Sequence, residues 1–118
     1  MKRFLRIHAP ALAWAILIFI LSSMTRLHPP DLGFHAQDKL AHAVEYGIFG
    51  WLLSRSFHLL TPNHAKAVFL VLFLGSLYAA SDELHQLFVP GRRADIFDFL
   101  ADAAGLGLSQ VFLPRAGK

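Results

Sequence analysis

Long apolar runs separated by short polar breaks organise the chain. Four runs stand out, at about 7–24, 40–60, 65–89 and 95–113. The first contains APALAWAILIFIL without a charge, and the stretch 67–80 of the third is likewise uncharged. The second carries His42 and Glu45, and the fourth carries Asp98 and Asp102. A helix crossing about 30 Å of hydrocarbon needs roughly 20 mostly apolar residues, and each run approaches that length. Turn-forming residues fall between them: Pro29-Pro30, Thr61-Pro62-Asn63 and Pro90-Gly91. No period-two alternation is long enough for a sheet. The pattern predicts an all-α fold, one domain over 1–118, built as an integral membrane bundle of four transmembrane helices. Lys2, Arg3 and Arg6 ahead of the first run also suit a secretory signal, but the following LSSMTRL lacks a small-x-small cleavage pattern, so an uncleaved anchor is expected. The competing fold, a soluble helical bundle, would have to hide both uncharged runs inside a core of 118 residues.

Composition sharpens the picture. The chain is 55% hydrophobic and only 16% charged, against about 25% charged in ordinary soluble domains. Cysteine is absent, which excludes disulfides and thiolate metal sites. The net charge of +3 comes from residues near the two termini rather than a basic stripe, so nucleic acid is not an expected partner. With the amino terminus cytoplasmic, Lys2, Arg3, Arg6, Arg55, Lys66, Arg115 and Lys118 lie inside, against Arg26, Lys39, Arg92 and Arg93 outside. That bias places both termini in the cytoplasm.

Against this background, SDELHQLFVPGRRADIFDFLADAAG, from Ser81 to Gly105, holds five of the eight acids. In the four-helix arrangement all eight fall at one end of the bundle, where this stretch is one half of a polar constellation and DKLAHAVEY the other. At 100° per residue, Asp38, His42 and Glu45 share a face of the second helix. Tyr78, Asp82 and Gln86 form a stripe on the third, with His85 at its flank and Glu83 about a right angle away. Asp95, Asp98, Asp102, Gly105 and Ser109 occupy one narrow arc of the fourth. Small residues let membrane helices approach closely, so this stripe is expected to face the other helices. A charge deep in a bilayer costs several kcal/mol, so these carboxylates need partners or water.

The residues resemble the VanZ-like family of small bacterial membrane proteins. Asp38, Lys39, His42 and Tyr46 match its Asp-Lys-x-x-His-x-x-x-Tyr helix. Asp82, Glu83, Gln86, Phe88, Pro90 and Arg92 match its Asp-Glu-x-x-Gln-x-Phe-x-Pro-x-Arg segment, and Asp95 and Asp98 match the acids that follow. The similarity runs from about Ser22 to Gly105. Asp102 departs from it, since family members often carry Asn there. The resemblance implies a multi-pass protein of the bacterial cytoplasmic (inner) membrane, serving the cell envelope. The family's namesake is linked to teicoplanin resistance, but the resemblance supplies no reaction, substrate or cofactor.

Several chemistries stay open. Asp38, Lys39, His42, Asp82, Glu83, Gln86 and Asp98 are the candidates for catalysis, with His42, Asp82 and Asp98, beside Glu45 and His85, suited to acid-base work. Arg92 and Arg93, with Tyr46, are candidates for substrate binding, since a guanidinium fork suits phosphate. The residue types admit a divalent cation, held by Glu45 and His85 together with His42 and Asp82; no cofactor is otherwise indicated. The corresponding functions are an enzyme or binding protein for a membrane lipid, a lipid-linked envelope substrate, a wall precursor or a glycopeptide. A non-catalytic scaffold, in which the charges only fix helix register, and a small ion- or proton-conducting bundle are the alternatives.

Overall fold

The computed structural model describes residues 1–23, 37–90 and 95–112, with the side chains of Gln37 and Asp38 outside that description. It contains four helices and, among the described residues, no strand. In chain order they are α1 (Lys2–Ser23), α2 (Gln37–Leu60), α3 (His64–Gln86) and α4 (Ile96–Phe112). The helix begins at Lys2, ahead of the apolar run, because Lys and Arg are good helix formers that hydropathy alone does not register. At the other extreme α3 stops at Gln86, short of the apolar residues that follow it. There the N–H groups of Leu87, Phe88 and Val89 donate to the carbonyls of Leu84, His85 and Gln86, tight three-residue turns that lead into Pro90. A residue before proline is disfavoured in the helical region, which closes the helix off.

The turn between α2 and α3 is short and capped. Asn63 is extended, and its side-chain oxygen accepts the Lys66 N–H at 3.1 Å, satisfying one of the orphan donors of the α3 start.

Packing is governed by small residues. α2 makes its broadest contact with α4 and runs parallel to it, Lys39 facing Asp95 and Asp98 at one end and Gly50 facing Ser109 further along. A methyl group added at Gly105 would overlap the Ala43 carbonyl oxygen, so the two backbones meet at contact distance. Gly75 leaves room in the same way for the Leu106 side chain. Ile18, Tyr46, Phe49, Ala79 and Leu106 form the central apolar cluster, to which every helix contributes. Along its middle α1 is tied on by side-chain to backbone hydrogen bonds: Trp14 Nε1 donates to the Glu45 carbonyl at 2.9 Å, and the Tyr78 hydroxyl donates to the Ala15 carbonyl. The backbones of α1 and α4 make no close approach among the described residues.

The outside of the bundle is apolar and part of its inside is polar. Leu12, Phe19, Val44, Phe69, Leu77 and Phe97 are all exposed, while Asp82, Glu83, Gln86, Asp98, Asp102 and Ser109 are buried. Two helices, α1 and α3, are long and apolar enough to cross a membrane. α4, at 17 residues, is about 25 Å long.

Candidate functional site

The buried carboxylates gather where α2 and α4 begin and α3 ends. Asp95 sets up this corner. It stands one residue before α4, where its Oδ1 accepts the Phe97 N–H at 2.9 Å as an N-cap, and its own N–H donates to Glu83 Oε2 at 3.0 Å. Glu83 therefore joins the end of α3 to the start of α4. From α2, Lys39 reaches across, with Nζ 2.9 Å from Asp95 Oδ2 and 2.5 Å from Asp98 Oδ1.

One turn further into the bundle the pairing repeats with histidine in place of lysine. His42 Nδ1 lies 2.8 Å from Asp102 Oδ1, and Nε2 lies 3.7 Å from Asp98 Oδ2. The i, i+3 step from Lys39 to His42 matches the Asp95, Asp98, Asp102 ladder because both helices advance in the same direction at the same pitch. Asp102 is completely buried. Among the described residues its Oδ2 has no hydrogen-bond partner, and neither does Oε1 of the buried Glu83 or the hydroxyl of the fully buried Tyr46. Buried carboxylate oxygens are ordinarily bonded, paired or bound to a metal, so these two, on different helices, have unused acceptor capacity.

A second polar group sits beside it, where α1 ends. Gln86 Nε2 donates to Ser22 Oγ at 3.1 Å, and Ser23 Oγ lies 2.9 Å from His85 Nε2, whose ring stacks on Phe19.

The expected residues thus divide into groups. Lys39, His42, Glu83 and Asp98 come together. Gln86 and His85 of the anticipated set are hydrogen-bonded to α1 instead, through Ser22 and Ser23. The ligating atoms that lie within 4.8 Å of one another belong to His42, Glu83 and Asp102. Tyr46 is buried one turn beyond His42, with Asp82 and Asp102 among its charged neighbours, and Glu45 is half-buried on the same helix. Arg92, Arg93 and the side chain of Asp38 lie outside the described residues. Asp102, set aside because it departs from the family pattern, is central, and its place on the Asp95–Asp98 stripe was the signal for it. Asp95 is the other participant not singled out for chemistry.

Chemically, the corner offers an imidazole held by a carboxylate, a half-buried ammonium, and carboxylate oxygens with unused acceptor capacity. Such a set can hold a cation, orient a polar head group or move a proton.

An apolar-faced helical bundle enclosing a carboxylate-rich polar corner defines the class. Within that class, the chain belongs to the VanZ/LLP1 family, whose family model matches residues 7–114. No curated protein and no solved structure matches the chain.

Proposed function

We propose that this is a multi-pass protein of the bacterial inner membrane, with all four helices spanning and both termini cytoplasmic, and that its polar corner takes the head group of a lipid or lipid-linked envelope compound at the extracytoplasmic face. The observation that carries this reading is a groove of about 410 Å³ between α3 and α4, walled by Ala80, Leu84, Leu87 and Phe99 and reaching Glu83 and Asp95. The last two belong to the polar corner. An apolar channel that leads from the outer surface of the bundle to buried charge suits an amphiphile, its hydrocarbon in the groove and its head among the ionic groups. The exposed apolar side chains on every helix support immersion in lipid, and the lysine-arginine bias supports the orientation.

Two experiments test the reading. Lipids extracted from the detergent-purified protein are compared with those on Ala80→Phe, which fills the groove. The wild type is expected to retain one enriched species that the variant loses, and equal retention on both overturns the lipid assignment. For topology, Gly91→Cys and Pro62→Cys, made in a chain without native cysteine, are exposed to a membrane-impermeant maleimide. Labelling at 91 alone is expected; labelling at 62 alone puts the corner in the cytoplasm. The double contact of Lys39 with Asp95 and Asp98 favours a second reading, a scaffold whose charges only lock α2 to α4. Under that reading Lys39→Met lowers stability and leaves lipid retention unchanged.

A further inference from the structure

We propose that His42, Glu83 and Asp102 form a binding site for a divalent transition-metal cation. Each residue comes from a different helix, α2, α3 and α4, and each presents a ligating atom within 4.8 Å of the other two. Donors no further apart than that share a point about 2.8 Å or less from each, so well under an ångström of side-chain adjustment brings them to the roughly 2.0–2.2 Å of zinc bonds to nitrogen and oxygen.

The closest pair already has the spacing of ligands. Neighbouring donors at right angles on such an ion stand about 3 Å apart, and His42 Nδ1 and Asp102 Oδ1 are 2.8 Å apart. Starting from the doubly protonated ring, the cation takes the position of the Nδ1 proton that faces Asp102; that proton leaves to solvent, and the neutral ring keeps Nε2–H turned toward Asp98, whose other oxygen is fixed by Lys39. A carboxylate facing the outer nitrogen of a ligating imidazole is the usual support for such a ligand.

The second, independent observation is the pair of orphan oxygens. Asp102 is fully buried and Glu83 more than nine-tenths buried, yet among the described residues Asp102 Oδ2 and Glu83 Oε1 have no hydrogen-bond partner. Glu83 Oε2 is held by the Asp95 N–H, which leaves Oε1 to serve the ion, and Asp102 Oδ2 is available to join Oδ1 of the same carboxylate on it. Two carboxylates and a single imidazole favour Mn²⁺ or Zn²⁺; Mg²⁺ and Ca²⁺ prefer oxygen alone. The site does not depend on the lipid reading, since none of its ligands is required to contact a substrate.

The test uses the full chain in detergent, stripped with chelator and titrated with MnCl₂ alone. One equivalent of bound Mn²⁺ is expected, with the nitrogen coupling of a single imidazole in its pulsed electron paramagnetic resonance spectrum. Asp102→Asn and Glu83→Gln each lower affinity by more than the roughly 10–100-fold typical of changes to outer-shell partners. His85→Gln, outside the ligand set, keeps wild-type affinity. Because ligation displaces a proton, affinity falls as pH is lowered. Should a carboxylate variant fail to fold, the nitrogen coupling in the wild type still decides. No saturable uptake by the wild type, or uptake without imidazole coupling, overturns the site and leaves a retained proton to satisfy the orphan oxygens. Ala80→Phe separates the two proposals: it retains Mn²⁺ and loses lipid when both hold, and loss of lipid assignment with Mn²⁺ intact leaves the metal site standing.

Discussion

The two ends of the bundle both carry histidines, and they use them differently. At the α2–α3 turn, His58 Nδ1 donates to the Ser54 carbonyl at 2.9 Å, and its Nε2 lies 2.9 Å from His64 Nδ1. These partners are only four and six residues apart in sequence, and the second contact is exposed. Nearby, Arg55 lies over Trp51, 5.5 Å from the ring centroid, again within one turn of helix. At the opposite end, Lys39 and His42 meet acids 56 to 60 residues away, and the innermost of these is fully buried. Local pairing at the surface needs only a helix and a turn. Remote pairing in the interior needs the whole fold, and its loss leaves a charge with neither partner nor water.

The largest expected difference between the ends follows from that asymmetry. Replacing His42 with Phe strands Asp102 in the interior and should cost about 3–5 kcal/mol, as for one member of a buried ion pair. His58→Phe, at the exposed end, should stay within about 0.5 kcal/mol. Thermal unfolding in detergent, followed by circular dichroism, reads both. Comparable losses at the two positions would mean that burial does not separate them.

A smaller effect is expected from the backbone contact that brings α2 to α4. Gly105→Val drives a side chain into the Ala43 carbonyl and should destabilise by about 1–3 kcal/mol. Gly107→Val, where nothing lies within 4 Å of an added methyl, should be tolerated. If both variants unfold alike, the close α2–α4 approach is not what positions the acids.

Lys39 is about one-third exposed, so solvent screens its two ion pairs. Lys39→Met should lower stability by about 1 kcal/mol, and a double-mutant cycle with Asp98→Asn isolates the pairwise part. At the far end, Asn63→Ala removes the α3 cap and should cost about 1 kcal/mol. A cycle energy near zero would make the Lys39 contact incidental and strengthen the case for His42 and Asp102 as the organising pair.

Much of this was readable from residue order. Hydropathy and the Pro and Gly breaks placed four helices, because helix formation and burial are local and repeat every 3.6 residues. The same periodicity put Asp98, Asp102, Gly105 and Ser109 on one face of α4, and all four are buried in the structure. The family motif brought Lys39, His42, Glu83 and Asp98 forward together. Partner choice was not readable. Nothing in the order of residues sent His85 toward Ser23 and Phe19, or turned Glu83, a right angle off the α3 stripe, onto the Asp95 N–H. Those outcomes depend on how far and at what angle the helices approach, which is set by Gly105 against Ala43 and Gly75 against Leu106, contacts between positions that are distant in the chain. Order along the chain gave each helix its polar face, since a face is a property of one helix. Which acid met which base was decided when the helices packed, since a pair is a property of two.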